Sequence, residues 1–326
     1  MTDGWGPDPS SETGSFPTGA TLRRGTSGWV LSDDPGRLVG GALAWARSAG
    51  VDQVYLVAES GTGTVARRAG YFSDPPTVWR LDERSLAPAA GAAPEPEPQP
   101  SPSAWELVTQ FSDTGATVVA EHGVLRWEVL GLEVARVVES PDGPIVEVGV
   151  GRQDREARRM VEEAFGAPAA RSGSGRAGPA DVLSDVVEQV RTRRRAGAPS
   201  HPANILAPER WLRSVVIRNP DLVGAAELSP ASPPEERPNL RANAVAPALG
   251  TDADGTPVVV VCSTGIDPEL VPAAAEVRAS APGARARLVL VVPARDDHPM
   301  TRHLAARLVV PAEVTPVPDD WRTYPG

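Results

Sequence analysis

Residues 28–58 read GWVLSDDPGRLVGGALAWARSAGVDQVYLVA, and their pattern predicts a strand, a helix and a second strand. The apolar runs at Trp29–Leu31 and at 54–58 are typical of strands that are buried on both faces. Between them, Asp34 and Pro35 supply a helix cap and a first-turn proline. Gly50 ends the helix, because glycine readily adopts the left-handed conformation that follows a last turn.

The chain around this stretch continues the alternation. A helix at Thr64–Phe72 and a strand at Thr77–Leu81 complete a β-α-β-α-β block, which is typical of a parallel sheet. The C-terminal region repeats the order, with strands at 258–261, at 288–292 and near Val314, and helices at 268–280 and 299–308. The sequence therefore predicts an α/β fold with such blocks at both ends and an α+β hairpin segment in the middle.

Composition predicts where this chain divides. Small polar residues bury too little apolar surface to offset the entropy lost on ordering, and alternating prolines hold a segment extended. The predicted divisions are a disordered tail at 1–26, an N-terminal α/β block at 27–86, a Pro-rich linker at 87–103, a middle segment at 104–165, a flexible spacer at 166–180, and a C-terminal helical plus α/β block at 181–326.

The basic residues of the 326-residue chain are all arginine, 32 in number, since the sequence contains no lysine. This excludes chemistry that needs a lysine amine, such as a pyridoxal-phosphate Schiff base or a phosphate-loop lysine. The excess of Arg, Ala, Pro and Gly resembles that of proteins encoded by high-GC bacterial genomes. The net charge of -10 disfavours non-specific attraction to nucleic acid, so a nucleic-acid site would need a local basic patch.

One cysteine, Cys262, excludes an intrachain disulfide and favours a reducing, cytoplasmic location. The first twenty residues lack the basic start and apolar run of a signal peptide. No apolar stretch reaches the length of a membrane span, so we expect a cytoplasmic protein without a membrane partner.

The middle segment contains the first candidate site. Strand-like runs at Thr117–Ala120, Leu130–Val138 and Ile145–Val150 place Glu133 and Glu147 on neighbouring strands. Carboxylate oxygens are the ligands that Mg²⁺ prefers, so the pair predicts a divalent metal site. The alternative is that both glutamates face solvent on a half-exposed sheet.

This layout resembles the PD-(D/E)XK nuclease superfamily, whose core is a helix, three antiparallel strands, a helix and a strand. The resemblance implies a restriction-endonuclease-like fold in which Glu133 and Glu147 are metal ligands. Gly149 stands where that family has its lysine. The run Ala253–Gly265 resembles the same family's acid–turn–strand segment, with Val261 and other residues departing from its motif.

Ser263, Thr264 and Gly265 form the second candidate site. They follow a buried strand and precede a helix, where backbone N–H groups and a helix N-terminus favour an anion. The alternative is an ordinary strand-to-helix loop. Cys262 would be a nucleophile only beside a base such as His298 or His303.

Arginines supply the candidate nucleic-acid contacts. Arg191, Arg193, Arg194 and Arg195 cluster at the end of the amphipathic helix predicted from Asp181, where local Arg patches could contact phosphate. The alternative is that these cations complement the helix dipole and stay solvated.

Two hypotheses on function follow. In the first, the chain is a divergent or inactive nuclease-like protein that binds nucleic acid through its arginines, with Mg²⁺ as the implied cofactor. In the second, it is a non-catalytic α/β protein that binds a protein partner or a small ligand. The sequence shows no complete catalytic set and does not decide whether the chain is an enzyme.

Overall fold

A computed structural model of the chain describes residues 11–151, 178–195, 198, 201–281 and 286–324. The chain divides into two compact units, each built from segments that are distant in sequence. Unit 1 comprises Met1–Glu95, Asp267–Ser280 and His298–Glu313, and unit 2 comprises Pro96–Ile266, Ala281–Asp297 and Val314–Gly326.

Unit 1 contains a sheet whose six strands, within the described residues, lie in chain order. They are β1 (Ser11–Phe16), β2 (Gly19–Arg24), β3 (Ser27–Ser32), β4 (Gln53–Ala58), β5 (Thr77–Asp82) and β6 (Ser85–Pro88). Strands β3, β4 and β5 are parallel, joined by helices α1 (Val39–Ala49) and α2 (Thr62–Ala69). The strands and helices from β3 to β5 thus follow one another in the order β-α-β-α-β.

The predicted end of the first helix at Gly50 is confirmed, whereas the predicted cap and proline belong to a short turn that precedes the helix. The Asp34 carboxylate accepts a hydrogen bond of 3.1 Å from the Gly36 N–H and caps a short 3₁₀ turn at Pro35–Arg37. Helix α1 follows that turn directly and ends at Gly50, whose φ of 65° is left-handed.

The prediction of a disordered tail at 1–26 is wrong for residues 11–24, which form β1 and β2. These strands pair with each other and with β3, so their backbone groups are satisfied although few side chains are buried. Phe16 and Thr21 are the buried anchors. Residues 1–10 lie outside the described part of the chain.

The Pro-rich linker lacks regular secondary structure from 89 to 101, and the division between the units at Glu95 and Pro96 falls inside it. Helix α3 (Pro102–Val108) begins at its end, with the Ser101 hydroxyl accepting from the Ala104 N–H at 3.2 Å.

Unit 2 opens with an antiparallel meander, whose described strands are β7 (Thr117–Glu121), β8 (Val124–Val129), β9 (Leu132–Ser140) and β10 (Gly143–Val148). The sequence predicted three strands here and missed β8. Two-residue turns at His122–Gly123 and Leu130–Gly131, each with both φ values positive, separate the strands. This hairpin geometry favours asparagine followed by glycine. Here the first turn residues are His122 and Leu130, so the sequence lacked the usual signal of a hairpin.

The second sheet of unit 2 has the described strands β11 (Glu227–Pro230), β12 (Ala246–Thr251), β13 (Pro257–Cys262), β14 (Arg287–Pro293) and β15 (Glu313–Val317), in chain order. Strands β13, β14 and β15 were predicted, and β13 and β14 pair in parallel. Strands β11 and β12 were not predicted.

Helices complete the units. Helices α4 (Pro179–Arg193) and α5 (Pro208–Arg218) belong to unit 2. Helices α6 (Leu270–Ser280) and α7 (Pro299–Ala306) belong to unit 1, so the predicted C-terminal block at 181–326 is not one domain. The end of the middle segment, from residue 152, and most of the 166–180 spacer lie outside the described residues. The described helices are all too short or too polar to cross a bilayer.

Candidate functional site: a buried arginine–glutamate cluster

The meander of unit 2 has one apolar face and one charged face. Leu125, Trp127 and Val129 on β8 pack into a core shared with α3 and α4. The alternate residues Arg126 and Glu128 are almost fully buried on the other face. Because strand side chains alternate, the sequence LRWEV places apolar and charged groups on opposite sides.

A β-bulge in strand β9 brings Glu133 onto this charged face. Trp127 pairs with Ala135, but Glu128 pairs with Glu133, so Val134 is left as the extra residue. The bulge shifts the face on which later side chains lie. Glu133 therefore lies on the same face as Arg126 and Arg136.

Helix α5 covers the charged face of the sheet. Its Trp211, Leu212 and Val215 pack into the core of the second sheet. Arg210 and Arg213 are three residues apart on one side of the helix and reach the meander. We call the assembly the Arg–Glu cluster; its members are Glu121, Arg126, Glu128, Glu133, Arg136, Arg210 and Arg213.

Helix α5 and strands β7 and β8 are joined by a two-by-two arrangement of charges. Glu121 accepts from Arg213 at 3.1 Å and also from Arg210. Glu128 accepts from Arg210 at 2.9 Å and from Arg213 at 2.7 Å. Each carboxylate thus binds both guanidinium groups, which satisfies the buried charges pairwise.

Arg126 connects this arrangement to Glu133. Its Nη1 lies 3.2 Å from the Glu121 carboxylate, and its Nε lies 3.1 Å from Glu133. Glu133 also receives a two-pronged contact from Arg136, with distances of 2.6 and 2.9 Å. Planar guanidinium and carboxylate groups match in this geometry.

The charges in the cluster are strongly coupled. Burial alone would raise the pKa of Glu121, but the positive charges of Arg210, Arg213 and Arg126 outweigh it and hold that pKa below its ordinary value. Burial would likewise lower the pKa of Arg213, whereas Glu128 and Glu121 raise it above the ordinary value. Glu121 and Arg213 are therefore both charged at neutral pH.

A second buried pair lies beside the cluster and is less well compensated. Arg237 contacts Glu209, and it also donates to the Leu240 and Ala242 carbonyl oxygens. Burial raises the pKa of Glu209 and lowers the pKa of Arg237, although each charge opposes the shift of the other. This pair bears a desolvation cost that its single contact does not offset.

A cavity of about 310 Å³ opens between these two groups of charges. Among the residues that the structure describes, four arginines and three glutamates line it, together with apolar and neutral polar residues. The lining comprises Glu121, His122, Arg126, Glu133, Arg136, Gly151, Arg210, Pro233, Glu236, Arg237, Pro238, Asn239 and Leu240. Two of them, His122 and Arg237, each have a buried nitrogen without a hydrogen-bond partner among the described residues.

The glutamates predicted as metal ligands have different surroundings. Glu133 is buried in the cluster with both oxygens bound by guanidinium groups. Glu147 pairs across the sheet with Arg136, so it lies on the same face as Glu133, with Arg136 between them. Within the described ranges, no three His, Cys, Asp or Glu side chains form a group that could hold a metal ion.

In the predicted anion-binding loop, the backbone N–H groups of Ser263 and Gly265 already donate hydrogen bonds within unit 2. The Ser263 N–H donates to the Val291 carbonyl oxygen at 3.0 Å. The Gly265 N–H donates to the Asp296 carboxylate at 2.7 Å. Thr264 lies between them and is partly buried. The loop thus already holds one carboxylate, which belongs to the chain itself.

Cys262, the candidate nucleophile beside this loop, is buried. Burial raises the pKa of the Cys262 thiol to about 12, so the thiol is protonated at neutral pH. His298 caps helix α7, its Nδ1 accepting from the Met300 N–H at 3.1 Å. His303 lies within that helix, in unit 1.

The four arginines at the C-terminal end of α4 do not form one solvated group. Arg194 is buried, donates to the Leu130 carbonyl oxygen at 2.7 Å and stacks 4.8 Å above the Trp211 ring. Arg191 donates to the Gly115 carbonyl oxygen at 2.5 Å, and Arg195 is exposed. The alternative that all four stay solvated is therefore wrong for Arg194, whose long side chain reaches buried carbonyl groups.

Sequence reasoning missed most of the cluster. The signal was present in LRWEVLGLEVARVV, where arginines and glutamates interrupt apolar strands at close intervals. A second signal was the pair Arg210 and Arg213 flanking Trp211 and Leu212 on one helix. Comparison of the chain with protein-family models, curated proteins and solved structures gave no match.

Proposed function

We propose that unit 2 binds a small anionic ligand in the cavity beside the Arg–Glu cluster, without catalysing a reaction. One observation carries the proposal: guanidinium groups of Arg126, Arg136, Arg210 and Arg237 line one cavity of about 310 Å³. That volume is in the range of small-molecule pockets. Arginine presents donors in a planar fork, which suits carboxylate and phosphate oxygens.

The unpartnered nitrogens of His122 and Arg237 support this proposal. A buried polar group without a partner costs free energy, and native proteins retain few of them. A ligand that draws either side chain toward the cavity would give its nitrogen a partner. Leu240, Pro233 and Pro238 supply an apolar wall for the remainder of such a ligand.

The cost of the charges also supports binding. Apolar residues of similar volume often stabilise a protein as well as a buried ion network does, because the network must offset its own desolvation. A structural role alone gives little reason to retain seven charged groups beside an open cavity. Recognition of an anion gives a direct reason.

The acid–base state of the cluster argues for binding without catalysis. A general base works best when its pKa is near the working pH. The arginines hold the pKa of Glu121 below its ordinary value. This carboxylate is therefore a weak base, and its two oxygens are already engaged by guanidinium groups.

Calorimetric titration of the full chain with succinate and with inorganic phosphate tests the proposal. Arg136→Gln removes a cavity guanidinium while Arg126 still compensates Glu133, and we expect it to weaken binding about tenfold or more. Arg241→Gln, an exposed change outside the cavity lining, is the matched control. Failure of the wild type to bind either anion, or unchanged binding by Arg136→Gln, would reject the proposal.

As a second candidate function, we propose that the chain is a divergent or inactive nuclease-like protein that binds nucleic acid, with Mg²⁺ held by Glu133 and Glu147. The pairing of Glu147 with Arg136, which sets both glutamates on one face, favours it. A gel-shift and Mg²⁺-dependent cleavage assay at low salt tests it. No retardation, together with no effect of Glu147→Ala, would remove it.

A further inference from the structure

Glu236 differs from the other carboxylates at the cavity in its exposure. The side chains of Glu121 and Glu133 are 1% and 8% exposed, whereas that of Glu236 is 64% exposed. Its Oε1 nevertheless lies 3.1 Å from Nη2 of Arg126, whose side chain is only 3% exposed. One buried guanidinium is thus bound on its cavity side by a carboxylate that extends from solvent.

This contact is the most easily exchanged ion pair in the group. An exposed carboxylate loses little when it returns to water, because exposed ion pairs contribute little to stability. Arg126, by contrast, must keep a partner for Nη2, since a buried cation without one is costly. Another carboxylate could therefore take the place of Glu236 at small net cost.

The neighbouring backbone can remain in place during such an exchange. Arg237, the next residue, is held by Glu209 and by the Ala242 carbonyl oxygen at 2.9 Å. Only the Glu236 side chain needs to swing outward. The cavity wall on either side keeps its other contacts.

We infer that the ligand of unit 2 carries a carboxylate that replaces the Glu236 carboxylate on Arg126. The inference rests on the proposed ligand-binding function and names its chemical class and its competitor. At Arg126 the exchange replaces one carboxylate by another, so the charge beside this guanidinium is unchanged. A phosphate dianion would place both of its negative charges next to Glu121 and Glu133, whereas succinate places one carboxylate there and its second charge at the far end of the molecule, which disfavours phosphate.

Glu236 accordingly acts as an internal competitor that sets affinity. Removing its charge leaves Arg126 Nη2 free for an external carboxylate. We expect Glu236→Gln to tighten the binding of succinate about fivefold, because the largely exposed Glu236 carboxylate no longer competes for the Arg126 guanidinium. We expect a smaller gain for inorganic phosphate.

Titration of the full chain with succinate and inorganic phosphate, for wild type, Glu236→Gln and Glu235→Gln, tests the inference. Glu235 is exposed, lies on the same loop and is absent from the cavity lining, so its variant removes the same charge elsewhere. Circular dichroism and the melting temperature verify that each variant folds.

The outcomes separate the two proposals. Tighter succinate binding by Glu236→Gln but not by Glu235→Gln supports the inference. Binding by the wild type that is unchanged or weaker in Glu236→Gln overturns it and leaves the proposed function intact, as does an equal gain in both variants. A larger gain for phosphate than for succinate overturns the choice of carboxylate. No binding by any of the three proteins rejects the proposed function, and the inference with it.

Discussion

Glu269 shows at the scale of one residue how burial turns a carboxyl group into a source of pH dependence. It precedes α6 in unit 1, and its Oε1 accepts from the Gly41 N–H at 2.8 Å. Its Oε2 is buried with no partner in the described residues. Burial raises the pKa of Glu269 to about 8, although the Gly41 N–H and Arg68 oppose the shift.

The sign of the resulting effect follows from linkage. In the unfolded chain the carboxyl group has its ordinary pKa of 4.5, so between that value and about 8 only the unfolded state is ionised. The free energy of unfolding therefore falls as the pH rises through this window. We expect Glu269→Gln to abolish this part of the loss, because an amide does not ionise.

Urea unfolding of wild type and Glu269→Gln at pH 5 and pH 8.5 measures the effect. The variant should gain stability relative to the wild type as the pH rises, and the difference between the two proteins removes the contribution of all other titrating groups. A stability difference that is the same at both pH values would contradict the raised pKa.

At the scale of the element, α5 is held by charges on one side and by apolar packing on the other. Arg213→Met should destabilise unit 2 by about 3 kcal/mol, because it leaves Glu121 and Glu128 each short of a buried partner. Arg218→Met, an exposed change at the end of the same helix, is the control and should cost far less. Equal losses of urea stability in the two variants would show that the cluster does not stabilise α5.

The turn between β8 and β9 is a second determinant of how α5 docks. A Cβ on Gly131 would overlap the backbone of Arg210 and Trp211, and the φ of Gly131 is also positive at 74°. Gly255 has a similar φ of 78° but no atom near its Cβ position. Comparing alanine substitutions at the two glycines therefore distinguishes the cost of a left-handed backbone from the cost of steric overlap.

We expect Gly255→Ala to cost about 1 kcal/mol, which is the price of a left-handed alanine. Gly131→Ala should cost at least about 2 kcal/mol more, because the helix must move away from the turn. Thermal melts of the two variants give the comparison. Similar losses would mean that α5 does not press against the turn in solution.

At the scale of the whole molecule, one thiol among 326 residues reports on the second sheet. Cys262 is buried in the core of that sheet, and burial raises its pKa to about 12. Labelling by a thiol reagent at pH 8 should therefore be slow in the native chain and fast in urea. Arg213→Met should accelerate it, and rapid stoichiometric labelling of native wild type would contradict the described burial.

The sequence by itself determined the elements whose signals are local. Gly50 marked the end of α1, and Asp34 and Pro35 marked the short turn before it. The apolar runs at 54–58 and 258–261 identified β4 and β13, because capping and hydrophobic pattern depend on near neighbours. Strand β8 was not predicted, because the charged Arg126 and Glu128 alternate with its apolar residues and the partners that bury Glu128 are distant in sequence. The predicted metal site at Glu133 and Glu147 likewise did not take account of Arg136, which lies between the two glutamates.

Only the tertiary structure decided the candidate site and the division into units. Arg210 and Arg213 meet Glu121 and Glu128 across more than eighty residues of sequence, and a one-residue bulge at Val134 brings Glu133 to the same face. Helices α6 and α7 belong to unit 1 although their neighbours in sequence belong to unit 2. Whether a charge is buried, and against which partner, is a property of contacts distant in sequence, and no local pattern records it.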